Sequence, residues 1–447
     1  MPSFFTRPGR ATVALAVVAL TACVDTPNPT EPRVPTAPNR AIGDVLVVTN
    51  TSGANVVGSI RQVLSQTTGG EIIRFDQSLA GAKIVLDTTL EVPKNVTIEG
   101  PATKGITLSG DRKAGVMHVH EGATLVNLTI TEGKAQIFGG GIVAEGALVL
   151  DHTTVTENEA GSVGGIFGET ITLTNSTVTS NIARVDLTQG VAGGISFDFA
   201  GALTLTNSTV SHNTPGGLTG HGNSSNQRRV LFENAIVSNN GAQNCVAALD
   251  FKFAGRNISN DDSCGGNVLE MLIADPLLQP LADNGGPTST RSLDPRSPAI
   301  DATDCPTLAV DQRYVARDAK CDIGAFEFVP TTVTLAINSA AQIDRETGEA
   351  LVTGTVSCSR VTAFDLVVAL AQDQRAKRTP TVVRATTTIR VVCGTTAQPW
   401  IVSIAAANGQ ALENGTALAS VETVNTNAGV TAATNSTTVK LAWTKAR

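Results

Sequence analysis

The sequence predicts an all-β chain, a right-handed parallel β-helix (solenoid) followed by a C-terminal Ig-like β-sandwich. Three observations carry that prediction. A short motif returns along the middle of the chain, a Gly-Gly-apolar marker returns once per copy, and after Val329 both give way to longer alternating runs between polar turns.

The motif is seen in Val126-Asn127-Leu128-Thr129-Ile130-Thr131, in Leu150-Asp151-His152-Thr153-Thr154-Val155-Thr156 and in Leu173-Thr174-Asn175-Ser176-Thr177-Val178-Thr179. Leu205-Thr206-Asn207-Ser208-Thr209-Val210-Ser211 and Phe232-Glu233-Asn234-Ala235-Ile236-Val237-Ser238 are further copies. The marker is Gly140-Gly141-Ile142, Gly164-Gly165-Ile166, Gly193-Gly194-Ile195 and Gly216-Gly217-Leu218, in steps of 24, 29 and 23 residues. Self-similarity at that period means a stack of units, each burying its apolar edge on the next. A leucine-rich repeat would need a Leu-x-x-Leu-x-Leu framework and a helical return, and the sequence has neither. In a coil of short strands Leu173 and Val178 point into the stack, and Thr177 and Thr179 point out. Gly-Gly is expected at a corner with positive φ. Asn175, Asn207 and Asn234 are expected at one bend, stacked as a ladder.

The remaining boundaries follow from composition. Arg7 and Arg10 precede the apolar stretch Ala11–Leu20, too short for a stable membrane span, so residues 1–22 are expected to be a signal peptide. Residues 23–43, with Pro27, Pro29, Pro32, Pro35 and Pro38, form an extended Pro-rich linker. The β-helix is expected over 44–328 and the sandwich over 329–447, where Cys358 and Cys393 lie in alternating runs with Trp400 nearby. Of seven cysteines, six fall in couples close in sequence, Cys245 with Cys264, Cys305 with Cys321 and Cys358 with Cys393. Disulfides between them fit an exported protein, although six cysteines formally allow 15 connectivities. With no Cys-x-x-Cys pattern and five histidines, no metal site and no cofactor are assigned. The net charge of −7 excludes a phosphate-neutralising nucleic-acid partner.

Leu20-Thr21-Ala22-Cys23 resembles the bacterial lipobox, which implies cleavage before Cys23 and lipidation of its thiol. An exported lipoprotein of the outer membrane or cell surface, held to the membrane by that anchor, is the expectation. Gly58-Ser59-Ile60-Arg61-Gln62-Val63-Leu64, Ile72-Ile73-Arg74-Phe75-Asp76 and Val96-Thr97-Ile98-Glu99-Gly100 resemble the start of bacterial right-handed β-helix surface proteins, where the first stretch is a short capping helix. Leu281-Ala282-Asp283-Asn284-Gly285-Gly286-Pro287, Ser297-Pro298-Ala299-Ile300-Asp301, Asp311-Gln312-Arg313 and Cys321-Asp322-Ile323-Gly324-Ala325-Phe326-Glu327 resemble the choice-of-anchor Q domain, about 275–328. The resemblance implies a surface-associated β-helix and no particular activity.

The expected function is therefore a non-enzymatic scaffold or adhesion protein with a surface glycan or protein as ligand. The alternative is a polysaccharide-active lyase or glycoside hydrolase. Pectin hydrolases of this fold carry Asn-Thr-Asp, Asp-Asp, Gly-His-Gly and Arg-x-Lys in that order. Here Gly220-His221-Gly222 precedes Asp261-Asp262, and the other two motifs are missing. Lyases need a basic residue beside calcium, and Arg228-Arg229 has no carboxylate cluster with it. No catalytic residue is assigned. The acids Asp283, Asp294, Asp301, Asp304, Asp311 and Asp322 are expected to fix turns through Arg296, Arg313 and Arg317. A third reading takes Thr129-x-Thr131, Thr154-x-Thr156, Thr177-x-Thr179 and Thr209-x-Ser211 as an outward hydroxyl ladder like that of ice-binding β-helices.

Overall fold

The computed structural model describes residues 43–444, apart from 185–190, 221–228, 247–248, 267, 306–308, 375–380, 408–409 and 425–428. Cys23, the signal stretch and nearly all of the linker lie outside the described residues, as do His221, Gly222 and Arg228.

The chain winds into a parallel β-solenoid of about 8 turns. One coil shows the logic. Ile142–Ala144 lies on an entry face, Ala147–Asp151 on a middle face and Thr154–Thr156 on a threonine face. Each strand pairs in parallel with its counterparts one coil before and after. The threonine face is a nine-stranded sheet from Lys83–Val85 to Met271–Ile273. Register puts like on like: Ile142 on Ile166, Leu150 on Leu173, Val155 on Val178. These columns are fully buried and continuous with one apolar core. Parallel stacking at about 4.8 Å makes the repeat self-templating, because each apolar column fills the gap left by the coil beneath it. At the first coils, helix Ile60–Leu64 buries Ile60, Val63 and Leu64, and its N-cap Ser59 accepts a hydrogen bond from the Gln62 N–H.

Two details depart from expectation. The Gly-Gly pairs do not have positive φ. They are needed for close approach: a Cβ on Gly165 would lie 2.4 Å from the Gly194 carbonyl oxygen of the next coil. Asn175, Asn207 and Asn234 do sit at the bend, with φ of 43°, 45° and 52°. The amide ladder, however, runs through Asn158, Asn181, Asn213, Asn240 and Asn244. Each of the first four donates through Nδ2 to the next Oδ1 at 2.9–3.1 Å and also to a carbonyl of the coil behind it.

The expected outward threonines are covered, except Thr129, which is half-buried. Val155 and Val178 fill the core, so Thr154, Thr177 and Thr179 leave it on the other side, yet all three are fully buried. The segment that follows the solenoid folds back over them. Gln312, itself fully buried, donates to the Thr154 and Thr288 hydroxyls at 2.8 Å and accepts from Thr177 at 2.6 Å. Arg291 donates to Thr179 at 2.7 Å, and Thr209 accepts from the Ala325 N–H at 3.1 Å. Further along, the threonine column becomes Ile236 and Ile258, which pack with Leu293, Ala299, Ile323 and Phe326. A flat solvent-facing ladder for ice is thereby overturned. Within the covering segment Arg313 pairs with Asp311, Arg317 with Glu327 and Arg296 with Asp294.

After Val329 a separate region of mixed sheet begins, with its own core that includes Val352, Leu366, Trp400 and Leu441. Ala350–Cys358 lies between Val333–Ile337 and Gln398–Ile404, all antiparallel. Thr362–Gln374 lies between Thr381–Cys393 and Gly415–Val424, which pairs in turn with Thr434–Trp443. Ala340–Ile343 pairs in parallel with that last strand, an order compatible with an Ig-like sandwich. Trp400 faces Gly354 across the sheet and shares the core with Cys358 and Cys393. Cys245–Cys264, Cys305–Cys321 and Cys358–Cys393 are all bridged, with Cα separations of 5.1, 5.3 and 5.7 Å.

Candidate functional site

With the threonine face closed, the entry face offers the most concentrated chemistry among the described residues. Its alternation is strict in the early coils. Leu90, Val92, Met117, Val119, Ile142 and Ala144 are buried, so Glu91, His118 and Val143 project outward. Glu91 and Val143 stand in register on either side of His118. His120 lies two residues along the same strand direction and therefore on the same side, and Glu145 follows in the next coil, its N–H donating to the Val119 carbonyl.

These four side chains meet. Glu91 Oε2 lies 2.8 Å from His120 Nε2 and 3.4 Å from His118 Nδ1. Glu145 approaches from the other side, its oxygens 3.1 Å from His118 Nε2 and 3.4 Å from His120 Nδ1. The two rings lie 4.2 Å apart, centroid to centroid. The hydrogen bond that the His120 ring donates to the Glu91 carboxylate raises the pKa of His120 above its ordinary value, against the opposing effect of burial. Hydrogen bonds from His118 and then His120 hold the Glu145 carboxyl below its ordinary range. Nothing in composition flags this cluster, and counting histidines argues against a metal. The usable signal was the alternation His118-Val119-His120, which places two imidazoles on one side of the chain at the end of the strand Met117–Val119. The glutamates come from neighbouring coils and need the register to be seen.

Beside the cluster runs an open groove of about 400 Å³, lined by Glu91, His118, Lys134, Gln136, Phe138 and Val143 among others. Phe138 stacks on Phe167 of the next coil with centroids 4.6 Å apart. The repeats carry no tryptophan or tyrosine on which a sugar could stack. This pair of phenylalanines supplies an aromatic surface there.

Of the residues weighed for polysaccharide chemistry, His221 and Arg228 lie outside the described residues, and Asp261 takes no part in this cluster. Asp261 is committed to a turn beside the Cys245–Cys264 bridge, accepting from the Ser263 and Asn244 N–H groups at 3.0 Å. Tyr314 is part of the threonine-face cover, stacked on His152 and donating to Asn127 Oδ1 at 2.8 Å. Among the described residues no helix is long and apolar enough to cross a membrane.

No family model matches the chain. No curated protein matches it either. Among solved structures, it is similar at 10% identity to the chitinase ChiW from Paenibacillus sp. str. FPU-7, described as a bacterial cell-surface-expressed multi-modular enzyme. That alignment covers 88% of this chain and 23% of the chitinase chain, with a TM-score of 0.14. The chain thus spans under a quarter of that protein's length, and at this TM-score the likeness carries no argument about function.

Proposed function

We propose that the chain is an exported, non-enzymatic β-solenoid that serves as a rigid scaffold and binds a surface glycan on its entry face. The observation that supports this reading is an asymmetry between faces: the chain's own 275–328 segment seals the threonine face, while the entry face keeps an open groove with a stacked aromatic pair. Aromatic rings beside polar side chains suit a saccharide, whose C–H faces pack on the rings while its hydroxyls find donors and acceptors. The closing segment acts here as a choice-of-anchor Q module whose structural role is to lock the solenoid. The three disulfides fit an oxidising, extracytoplasmic compartment. Lipidation at Cys23 would tether the body, with the Pro-rich stretch as spacer.

Retention on immobilised polysaccharides tests the binding face. Wild-type protein is expected to be retained by at least one of them, and Phe138→Ala with Phe167→Ala to weaken retention about tenfold, the worth of a stacked aromatic contact. Equal retention of both proteins would move the site elsewhere. Labelled fatty acid should enter the wild type and not Cys23→Ala; equal labelling of both would refute the anchor.

A further inference from the structure

We infer that Glu91, His118 and His120 form a binding site for one divalent transition-metal ion of the zinc class, with Glu145 as the positioning carboxylate behind the two imidazoles. The site stands independently of glycan binding.

The donor set comes first. One donor atom from each of Glu91, His118 and His120 lies within 4.8 Å of the other two. A tetrahedral ion with bonds of about 2.0–2.2 Å holds its donors roughly 3.3 Å apart. The Glu91–His118 separation of 3.4 Å already matches. The Glu91–His120 separation of 2.8 Å is that of a hydrogen bond, in which a shared proton occupies the place of the ion. A small rotation of the Glu91 carboxylate opens it, and that side chain is more than half exposed.

The second observation is the placement of Glu145. Its two oxygens reach His118 Nε2 and His120 Nδ1, in each ring the nitrogen opposite the one that faces Glu91. A carboxylate that accepts both of those N–H groups fixes the tautomers so that the lone pairs of His118 Nδ1 and His120 Nε2 point at one spot. This is the outer-shell device that orients metal-bound histidines. Simple surface ion pairing would not require one carboxylate to span the far nitrogens of both rings while another spans the near ones.

Rigidity is the third. His118 sits on the strand Met117–Val119 and His120 follows it directly, the inward neighbours Met117 and Val119 are buried in the solenoid core, and the register places Glu91 beside His118. Two imidazoles and one carboxylate select zinc, nickel or copper over calcium and magnesium, which need more oxygen donors. Three protein ligands leave the remaining positions to water, on the side where Glu91 and His118 border the groove.

The test uses the full chain, stripped with chelator and dialysed against Zn²⁺ alone. One ion per chain is expected, with a dissociation constant of about 1 µM or tighter. His118→Asn with His120→Asn should weaken it about 100-fold or more, and Glu145→Gln, which removes no ligand, about tenfold at unchanged stoichiometry. His212→Gln should leave it unchanged, and Ca²⁺ or Mg²⁺ in excess should not compete. In the wild type, Zn²⁺ should shift the imidazole resonances of His118 and His120 and not those of His152, a readout that does not depend on any variant folding. Absence of saturable one-to-one binding would overturn the site. So would binding that survives the double substitution, or resonances of His118 and His120 that do not move.

Discussion

At the scale of single residues, asparagine does two separate jobs in this solenoid, and only one was legible. The asparagines of the repeated motif adopt positive φ at the bend, as the residue type predicts. The ladder of Asn158, Asn181, Asn213 and Asn240 also lies in the sequence, each member just after a second positive-φ residue. Residue type alone does not tell which of two asparagine columns points inward, because the side chain's direction is set by the coil path. Asn213 tests its weight. It is fully buried, accepts from both the Asn181 N–H and its Nδ2, and donates to the Val178 carbonyl. Asn213→Ala orphans these groups and should destabilise the chain by about 3 kcal/mol, read as a lower urea midpoint at unchanged slope. Asp322 supplies a pH signature. Burial, reinforced by the neighbouring Glu327 carboxylate, raises its pKa from 3.8 to about 7. Between those values the folded chain keeps a proton that the unfolded chain has lost, so this group favours folding at the acid end and that contribution fades as pH rises through about 7. Asp322→Asn should therefore narrow the difference in unfolding midpoint between acidic and mildly alkaline buffer; an unchanged difference would mean that Asp322 does not titrate there.

At the scale of elements, the repeat and its register were readable because identical apolar columns must stack on one another. Closure of the threonine face was not, since the covering segment has no periodicity of its own. One sign of it was present: the column of Thr154, Thr177 and Thr209 continues as Ile236 and Ile258, residues that an exposed face would not favour. The metal-ligand cluster escaped for the same reason as the cover, because its members meet only once coils are aligned. Gln312 holds the cover down through Thr154, Thr177 and Thr288. Gln312→Ala should cost about 2 kcal/mol in lost buried hydrogen bonds. Amide exchange should quicken at Thr154–Thr156 and Thr177–Thr179 and stay unchanged after Val329; a uniform change would mean that the cover is not a separate cooperative element.

For the whole molecule, two cores with different strand chemistry predict two folding units. The solenoid core and the C-terminal core are distinct clusters, and the latter contains both Cys358 and Cys393. Residues 331–447 should fold alone under oxidising conditions, and reduction of Cys358–Cys393 should cost about 2–5 kcal/mol. Mass shift on alkylation before and after reduction checks the bridge; two free thiols in a cooperatively folded fragment would refute it. A separate C-terminal sheet region was legible as a change of pattern, whereas the proposed interaction surface was not, because it depends on which face the closing segment happens to cover. The function proposed above is binding without catalysis, and one assay separates it from that of a polysaccharide-active enzyme. Purified full chain is incubated with neutral and acidic polysaccharides, with and without added Zn²⁺, and new reducing ends and unsaturated sugars are measured. No product above the buffer control is expected; product that forms with the wild type and disappears in Asp262→Ala or His221→Ala would contradict the account.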